Sequence, residues 1–150
     1  FKAKLNWFSN EKETDSTTKS FTKSHTIAIV GKENLKVSAA KAFKGDPALY
    51  NPEDLLLSSI VSCHMMSYLY VCGQEGIDIV SYTDAVEATL EVAADGSGRF
   101  IEVRLNPKVT IRQPERIADA LSLHKKANQL CFIANSCNFA ILHFPTCEIE

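Results

Sequence analysis

From Leu55 to Cys72 the chain runs for 18 residues without an Asp, Glu, Lys or Arg. Its one histidine is His64, and apolar side chains fall on every helical face. A helix lying on a protein surface carries a polar stripe, so a helix without one must be enclosed. Its start is well marked. Asn51 serves as the cap, Pro52 takes the first helical position, and Glu53 and Asp54 place carboxylates at the positive end of the helix dipole. The pattern predicts a helix ending at about Cys72, with Gly73 available to stop it. A membrane span is the competing explanation. Ser58, Ser59, Ser62, His64 and Ser67 interrupt the run, however, and its length is near the lower limit for spanning. No membrane association is expected, and the helix calls for a sheet, a second helix or a partner chain around it.

The flanking segments show other periods. Residues 1–8 alternate, with Phe1, Ala3, Leu5 and Trp7 opposite Lys2, Lys4 and Asn6, as in a half-buried strand. Residues 9–20 are polar without periodicity and read as a solvated loop. Two strands follow at roughly 21–30 and 35–43, broken by Gly31-Lys32-Glu33-Asn34 and ended by Gly45-Asp46-Pro47. Beyond the apolar helix, residues 77–93 and 100–112 alternate and are joined by Asp95-Gly96-Ser97-Gly98, which predicts a β-hairpin. Val86, Ala88, Leu90 and Val92 should face inward with Ile101, Val103, Leu105, Val109 and Ile111. A second helix starts at Pro114-Glu115, and its inward stripe of Ile117, Ala120, Leu121, His124 and Ala127 reaches Cys131. Phe139 to Ile149 reads as a closing strand. The order β-β-β-α-β-β-α-β gives an α+β fold, with two helices against an antiparallel sheet and one domain over residues 1–150.

Charge and cysteine usage narrow the function. Net charge is −2 and the 16 basic residues are dispersed, so no electrostatic footprint for nucleic acid or an acidic membrane is present. Five cysteines (Cys63, Cys72, Cys131, Cys137 and Cys147) are an odd set, and none lies in the first 62 residues. A secreted disulfide framework does not fit that distribution; thiols held in a reducing, cytoplasmic compartment do. Phe1-Lys2-Ala3-Lys4 lacks the unbroken apolar run of a signal peptide.

Cys63 lies mid-helix and Cys131 on the inward stripe of the second helix, so packing both helices on one sheet would bring the thiols toward disulfide range. Taken singly, each reads equally well as a small buried hydrophobe. Burial disfavours a thiolate, so a reactive Cys63 needs a nearby cation or hydrogen-bond donor. Glu53 is ten residues earlier, about 15 Å away along a straight helix, and would act only by orienting such a cation or from a partner subunit. His64 points about 100° away from Cys63 and makes a poor partner for it. His124 shares a helix face with Cys131, yet reads as a satisfied, half-buried histidine. No short-spaced ligand pairs support zinc, and Cys72, Cys137 and Cys147 show no partner pattern.

Asn51-Pro52-Glu53-Asp54-Leu55-Leu56 followed by Ser62-Cys63 resembles the first-cysteine helix of the OsmC/Ohr family, the osmotically inducible and organic hydroperoxide resistance proteins. His124-Lys125-Lys126-Ala127-Asn128-Gln129-Leu130-Cys131, with Asn135-Ser136, resembles that family's second-cysteine segment. The resemblance covers essentially the whole chain and implies an intertwined homodimer with central helices and interface active sites. It implies that Cys63 is the peroxidatic thiol, Cys131 the resolving thiol, and Glu53 the carboxylate that positions an activating arginine. The implied activity is reduction of organic hydroperoxides to alcohols through a Cys63 sulfenic acid and a Cys63–Cys131 disulfide. No bound cofactor or metal is implied, and the reductant is an external dithiol of lipoyl type or a lipoylated protein. The family's organic hydroperoxide branch takes its arginine from the N-terminal strands, whereas the first arginine here is Arg99. Lys19 or Lys23 is a candidate replacement without the planar fork, and Arg99, Arg104, Arg112 or Arg116 would need another geometry. Phe132 stands where a proline usually follows the second cysteine. The alternative to a peroxidase is an OsmC-like, stress-associated binding or structural dimer without significant turnover.

Overall fold

The computed structural model describes residues 1–9 and 21–150, in two compact units, 1–56 and 57–150. The expected loop at 10–20 and Lys19 lie outside the described residues.

The first unit holds a three-stranded antiparallel sheet of β1 (Lys4–Asn6), β2 (His25–Ala28) and β3 (Leu35–Val37), in that order. Each strand is shorter than its alternating pattern predicts. Leu5 stays exposed, so the alternation at 1–8 does not mark a face buried within this chain. The expected strand at 35–43 stops at Val37, and Lys41–Phe43 is a 3₁₀ turn. The reason is local: buried Ser38 accepts the Asp46 amide with its hydroxyl, and its own amide bonds the Tyr50 carbonyl. These bonds fold 38–50 back on itself. Gly45 is required there, because a Cβ would sit 1.7 Å from the Ala39 carbonyl oxygen.

The apolar helix, α1 (Pro52–Gln74), begins with a capping box. Asn51 Oδ1 accepts the Asp54 amide at 2.8 Å, and the Asp54 carboxylate accepts the Asn51 amide at 3.3 Å. The helix does not stop at Gly73. It continues to Gln74 and ends at Gly76, whose φ of +66° lets Ile77 N–H return to the Cys72 carbonyl. By length and composition alone α1 would cross a membrane. Instead Ile60, His64, Tyr68, Val71 and Cys72 are buried within the protein.

In the second unit the predicted hairpin is broken into four strands: β4 (Ile79–Asp84), β5 (Glu87–Val92), β6 (Gly98–Leu105) and β7 (Pro107–Ile111). The break has a cause in side-chain chemistry. Asp84 Oδ1 accepts the Asn106 amide, and Asn106 Nδ2 donates to the Ala85 carbonyl, each at 2.7 Å, which fastens both arms at the bend. The base of the hairpin joins one sheet, β4-β7-β9, and its tip joins another, β5-β6-β8. The closing segment is likewise split at Phe144-Pro145 into β8 (Ala140–His143) and β9 (Thr146–Ile149), which run parallel to β6 and β7. Both sheets are therefore mixed, not antiparallel. Val103, Leu105, Val109 and Ile111 are buried as expected, but Leu90, Val92 and Ile101 are exposed. Between Thr89 and Leu90 the register shifts so that Leu90 pairs with Phe100 and Ile101 is passed over, which turns Phe100 inward in place of Ile101.

After a 3₁₀ turn at Pro114–Arg116, α2 (Ile117–Leu130) packs Ala120, His124 and Ala127 inward, and Cys131 caps its end. The core gathers Tyr68, Val71, Cys72, Ile77, Val109, Ile111, Ala120 and Ala127. Beside it lie three histidines. His64 Nε2 and His124 Nδ1 are 3.0 Å apart, the His143 ring is 4.5 Å from that of His64, and Tyr68 stacks on His124 at 3.9 Å. Each histidine keeps one buried ring nitrogen without a hydrogen-bond partner among the described residues. Burial, reinforced by the neighbouring rings, lowers the His64 pKa to about 3 and that of His124 to about 4, and burial lowers that of His143.

These depressed values tie stability to pH. Unfolded histidines titrate near 6.5, so below that pH the unfolded chain takes up protons that the folded chain refuses. Stability is retained above about pH 6.5 and falls as pH drops toward 4, by up to about 1.4 kcal/mol per pH unit for each histidine held neutral. Urea midpoints should decline steeply between pH 7.5 and 5.0, and His143→Phe should flatten the decline. Equal midpoints at the two pH values would contradict the neutral-histidine core.

Candidate active site

Helix α1 carries Cys63 toward α2, and the C-cap of α2 carries Cys131 toward it. Cys131 is fully buried, Cys63 partly so, and the two thiols are close enough to interact electrostatically although 68 positions separate them in sequence. Both are free thiols. Burial first, and then the interaction with Cys63, push the Cys131 thiol up to about 11. The Ala134 amide, which donates to Cys131 Sγ at 3.4 Å, works in the opposite direction. Cys131 therefore keeps its proton at neutral pH.

Cys63 opens into a pocket of about 440 Å³ lined by Met66, Ser67, Tyr70, Leu130 and Phe132. Met66, Ser67 and Tyr70 follow Cys63 by three, four and seven residues, so they form one stripe along α1. Leu130 and Phe132 flank Cys131 and supply the facing wall. Phe132 is 81% exposed, which a ring at the mouth of a pocket allows. Among the described residues that line the pocket, none carries a formal charge.

The other candidates fall elsewhere. Glu53 sits in the first turn of α1 with Oε2 buried and without a hydrogen-bond partner among the described residues. Lys23 is occupied by the Phe43 carbonyl within the first unit. Arg99 pairs with Glu91, Arg104 with Glu102, Arg112 with Asp78 and Glu150, and Arg116 with Asp119. None of the four arginines lines the pocket. His124 does not serve Cys131; it is fully buried against His64 and Tyr68. The three-histidine cluster escapes a reading of the sequence one element at a time. Its signal was the period-two position of His143 behind Ile141, matched to His124 on an inward stripe. Among the described residues no group of three His, Cys, Asp or Glu side chains is arranged to hold a metal ion. Cys137 donates to the Ile133 carbonyl at 3.3 Å, while Cys72 and Cys147 belong to the core around Tyr68.

Known structures share this architecture. An OsmC-like protein of unknown function from Vibrio cholerae superposes with a TM-score of 0.85 over 97% of both chains at 24% identity. An organic hydroperoxide resistance protein from Elizabethkingia anophelis matches with a TM-score of 0.65, covering 85% of this chain and 90% of its own, at 19% identity. The organic hydroperoxide resistance protein OhrB of Bacillus subtilis matches with a TM-score of 0.59 over 100% of this chain and 98% of its own, at 17% identity. Comparison with curated proteins returned no match. The family model for OsmC-like protein matches residues 45–142, a span that includes both helices, both thiols and the described residues that line the Cys63 pocket, and the chain belongs to the OsmC-like family.

Proposed function

We propose that the protein is a thiol-dependent peroxidase that reduces organic hydroperoxides to alcohols. The observation that carries this reading is the interaction of Cys131 with Cys63, which itself lines a pocket whose described walls are mostly apolar. The Cys63 thiolate attacks the terminal peroxide oxygen, the O–O bond breaks, and an alcohol leaves. The Cys131 thiol then condenses with the Cys63 sulfenic acid, expelling water and forming a disulfide. An external dithiol, of lipoyl type or on a lipoylated protein, restores both thiols by exchange. No bound cofactor enters the cycle. Walls built from Met66, Tyr70, Leu130 and Phe132 suit a peroxide with an apolar body. Glu53, whose buried oxygen lacks a partner among the described residues, is the residue to hold an activating cation.

A second reading, an OsmC-like binding dimer without significant turnover, is favoured by one observation. The four arginines of the second unit are committed to acidic partners away from the pocket. Purified protein given an organic hydroperoxide and dihydrolipoamide separates the two. The peroxidase consumes peroxide, Cys63→Ser abolishes consumption, and Cys131→Ser leaves a single turnover ending in sulfenic acid. Peptide mapping after mild oxidation should find Cys63 joined to Cys131 before Cys72, Cys137 or Cys147 reacts. Absence of consumption by the wild type supports the binding dimer.

Assembly belongs to the same proposal. Met66, Leu69 and Tyr70 leave one face of α1 exposed, and we assign that face to a second copy in a homodimer. Sedimentation at micromolar concentration should give a dimer. A stably folded, monodisperse monomer would remove the interface from the proposal.

A further inference from the structure

Two hydroxyl groups line the Cys63 pocket, those of Ser67 and Tyr70. Tyr70 is seven residues beyond Cys63, about 10 Å along the helix, and its oxygen accepts a hydrogen bond from Gln74 Nε2 at 2.9 Å. Ser67 is one turn from Cys63, about 40° round and about 6 Å along. Helical side chains lean toward the N-terminus, so the Ser67 hydroxyl overlies the turn that bears Cys63. A helical serine usually returns its hydroxyl to a carbonyl of the preceding turn. Ser122 does so on α2, donating to the Asp119 carbonyl at 2.8 Å. The Ser67 hydroxyl has no such partner among the described residues.

We propose that Ser67 is a further catalytic residue, whose hydroxyl donates a hydrogen bond to the peroxide oxygen that departs as the alcohol. The role rests on the peroxidase reading above. In that step an S–O bond forms between Cys63 and the terminal oxygen of ROOH while the O–O bond breaks. Both electrons of the broken bond leave with RO⁻. The terminal oxygen keeps its proton, giving Cys63–SOH, and the alkoxide takes a proton from solvent. Sulfur is oxidised by two electrons and the peroxide is reduced by two. Negative charge therefore moves from sulfur to an oxygen farther along the line of attack, in a pocket with no cation among the described residues that line it. A donor aimed where charge develops lowers the barrier, and does so more strongly in an apolar site than in water. Ser67 is bonded to no thiol, yet lies one turn from the sulfur, which suits an oxygen in line behind the attacked atom.

Prereduced wild type, Ser67→Ala and Ser67→Thr should be mixed with cumene hydroperoxide in stopped flow. Iodoacetamide alkylation of Cys63 is followed in parallel at the same pH. Ser67→Ala should slow peroxide reduction about 100-fold while alkylation changes by less than about twofold. Ser67→Thr, which keeps the hydroxyl, should recover most of the peroxide rate. A Ser67→Ala variant that reduces peroxide at the wild-type rate overturns the assignment. So does an equal fall in both reactions, which would mean that the thiol or the fold had changed instead. Wild-type protein that alkylates at Cys63 but leaves peroxide untouched refutes the peroxidase reading, and the Ser67 role goes with it.

Discussion

Tyr68 ties the two helices of the second unit together. Its ring stacks on His124 with centroids 3.9 Å apart, and its hydroxyl donates to the Ala120 carbonyl at 3.1 Å. A carbonyl oxygen has two lone pairs, so Ala120 accepts this bond without giving up its place in the helix. The contact fixes which face of α2 turns inward. Ala120, His124, Ala127 and Cys131 follow one another along that face, and all four are buried. On α1, adjacent residues point about 100° apart, and the chain uses both directions. His64 meets His124, while Cys63 meets Cys131 seven residues farther on. Loosening Tyr68 would therefore misplace the thiol pair as well as the core.

The histidines behind the thiols shape the electrostatics of this region. A buried polar atom without a partner costs about 1–3 kcal/mol, and three such nitrogens are a substantial expense in a marginally stable unit. Stacking among the rings and the His64–His124 hydrogen bond offset part of it. With all three rings neutral near pH 7, the core next to the thiols contains no cation from this source. His64, although next to Cys63 in sequence, contributes no positive charge to it.

Much of the architecture was legible because periodicity reports burial directly. The polar-free stretch of α1, the stripe ending at Cys131 and the inward positions from Val103 to Ile111 all follow from it. What periodicity cannot show is where a long strand bends or slips. The split at Asp84 and Asn106 depends on two side chains 22 positions apart, and the exposure of Ile101 depends on a register shift opposite Thr89 and Leu90. Parallel pairing of β8 and β9 was hidden for a similar reason, since an alternating strand reads the same in either direction. At the site, the Cys63–Cys131 pair came from the resemblance and not from spacing. Ser67 had looked like an interruption in an apolar run, and only its place on the Cys63 stripe gives it a partner in chemistry.

The high pKa of Cys131 bears on the proposed resolving step. A thiol with a pKa of about 11 is ionised to roughly one part in 10⁴ at pH 7. That fraction would make Cys131 a poor nucleophile toward anything diffusing in from solvent. Groups already held in reacting geometry behave, however, as though present at effective concentrations of roughly 10⁵–10⁸ M. In the proposed cycle, proximity on that scale would outweigh the loss from protonation. The interaction with Cys63 and the burial, which both raise the pKa, have the same origin, the close packing of Cys131 against α1. A buried, protonated thiol resists oxidants from solvent, and in the proposed cycle it would stand beside the sulfenic acid formed on Cys63. In the proposed cycle, contact rather than ionisation would fit Cys131 for resolution, and the same packing would shield it until Cys63 is oxidised.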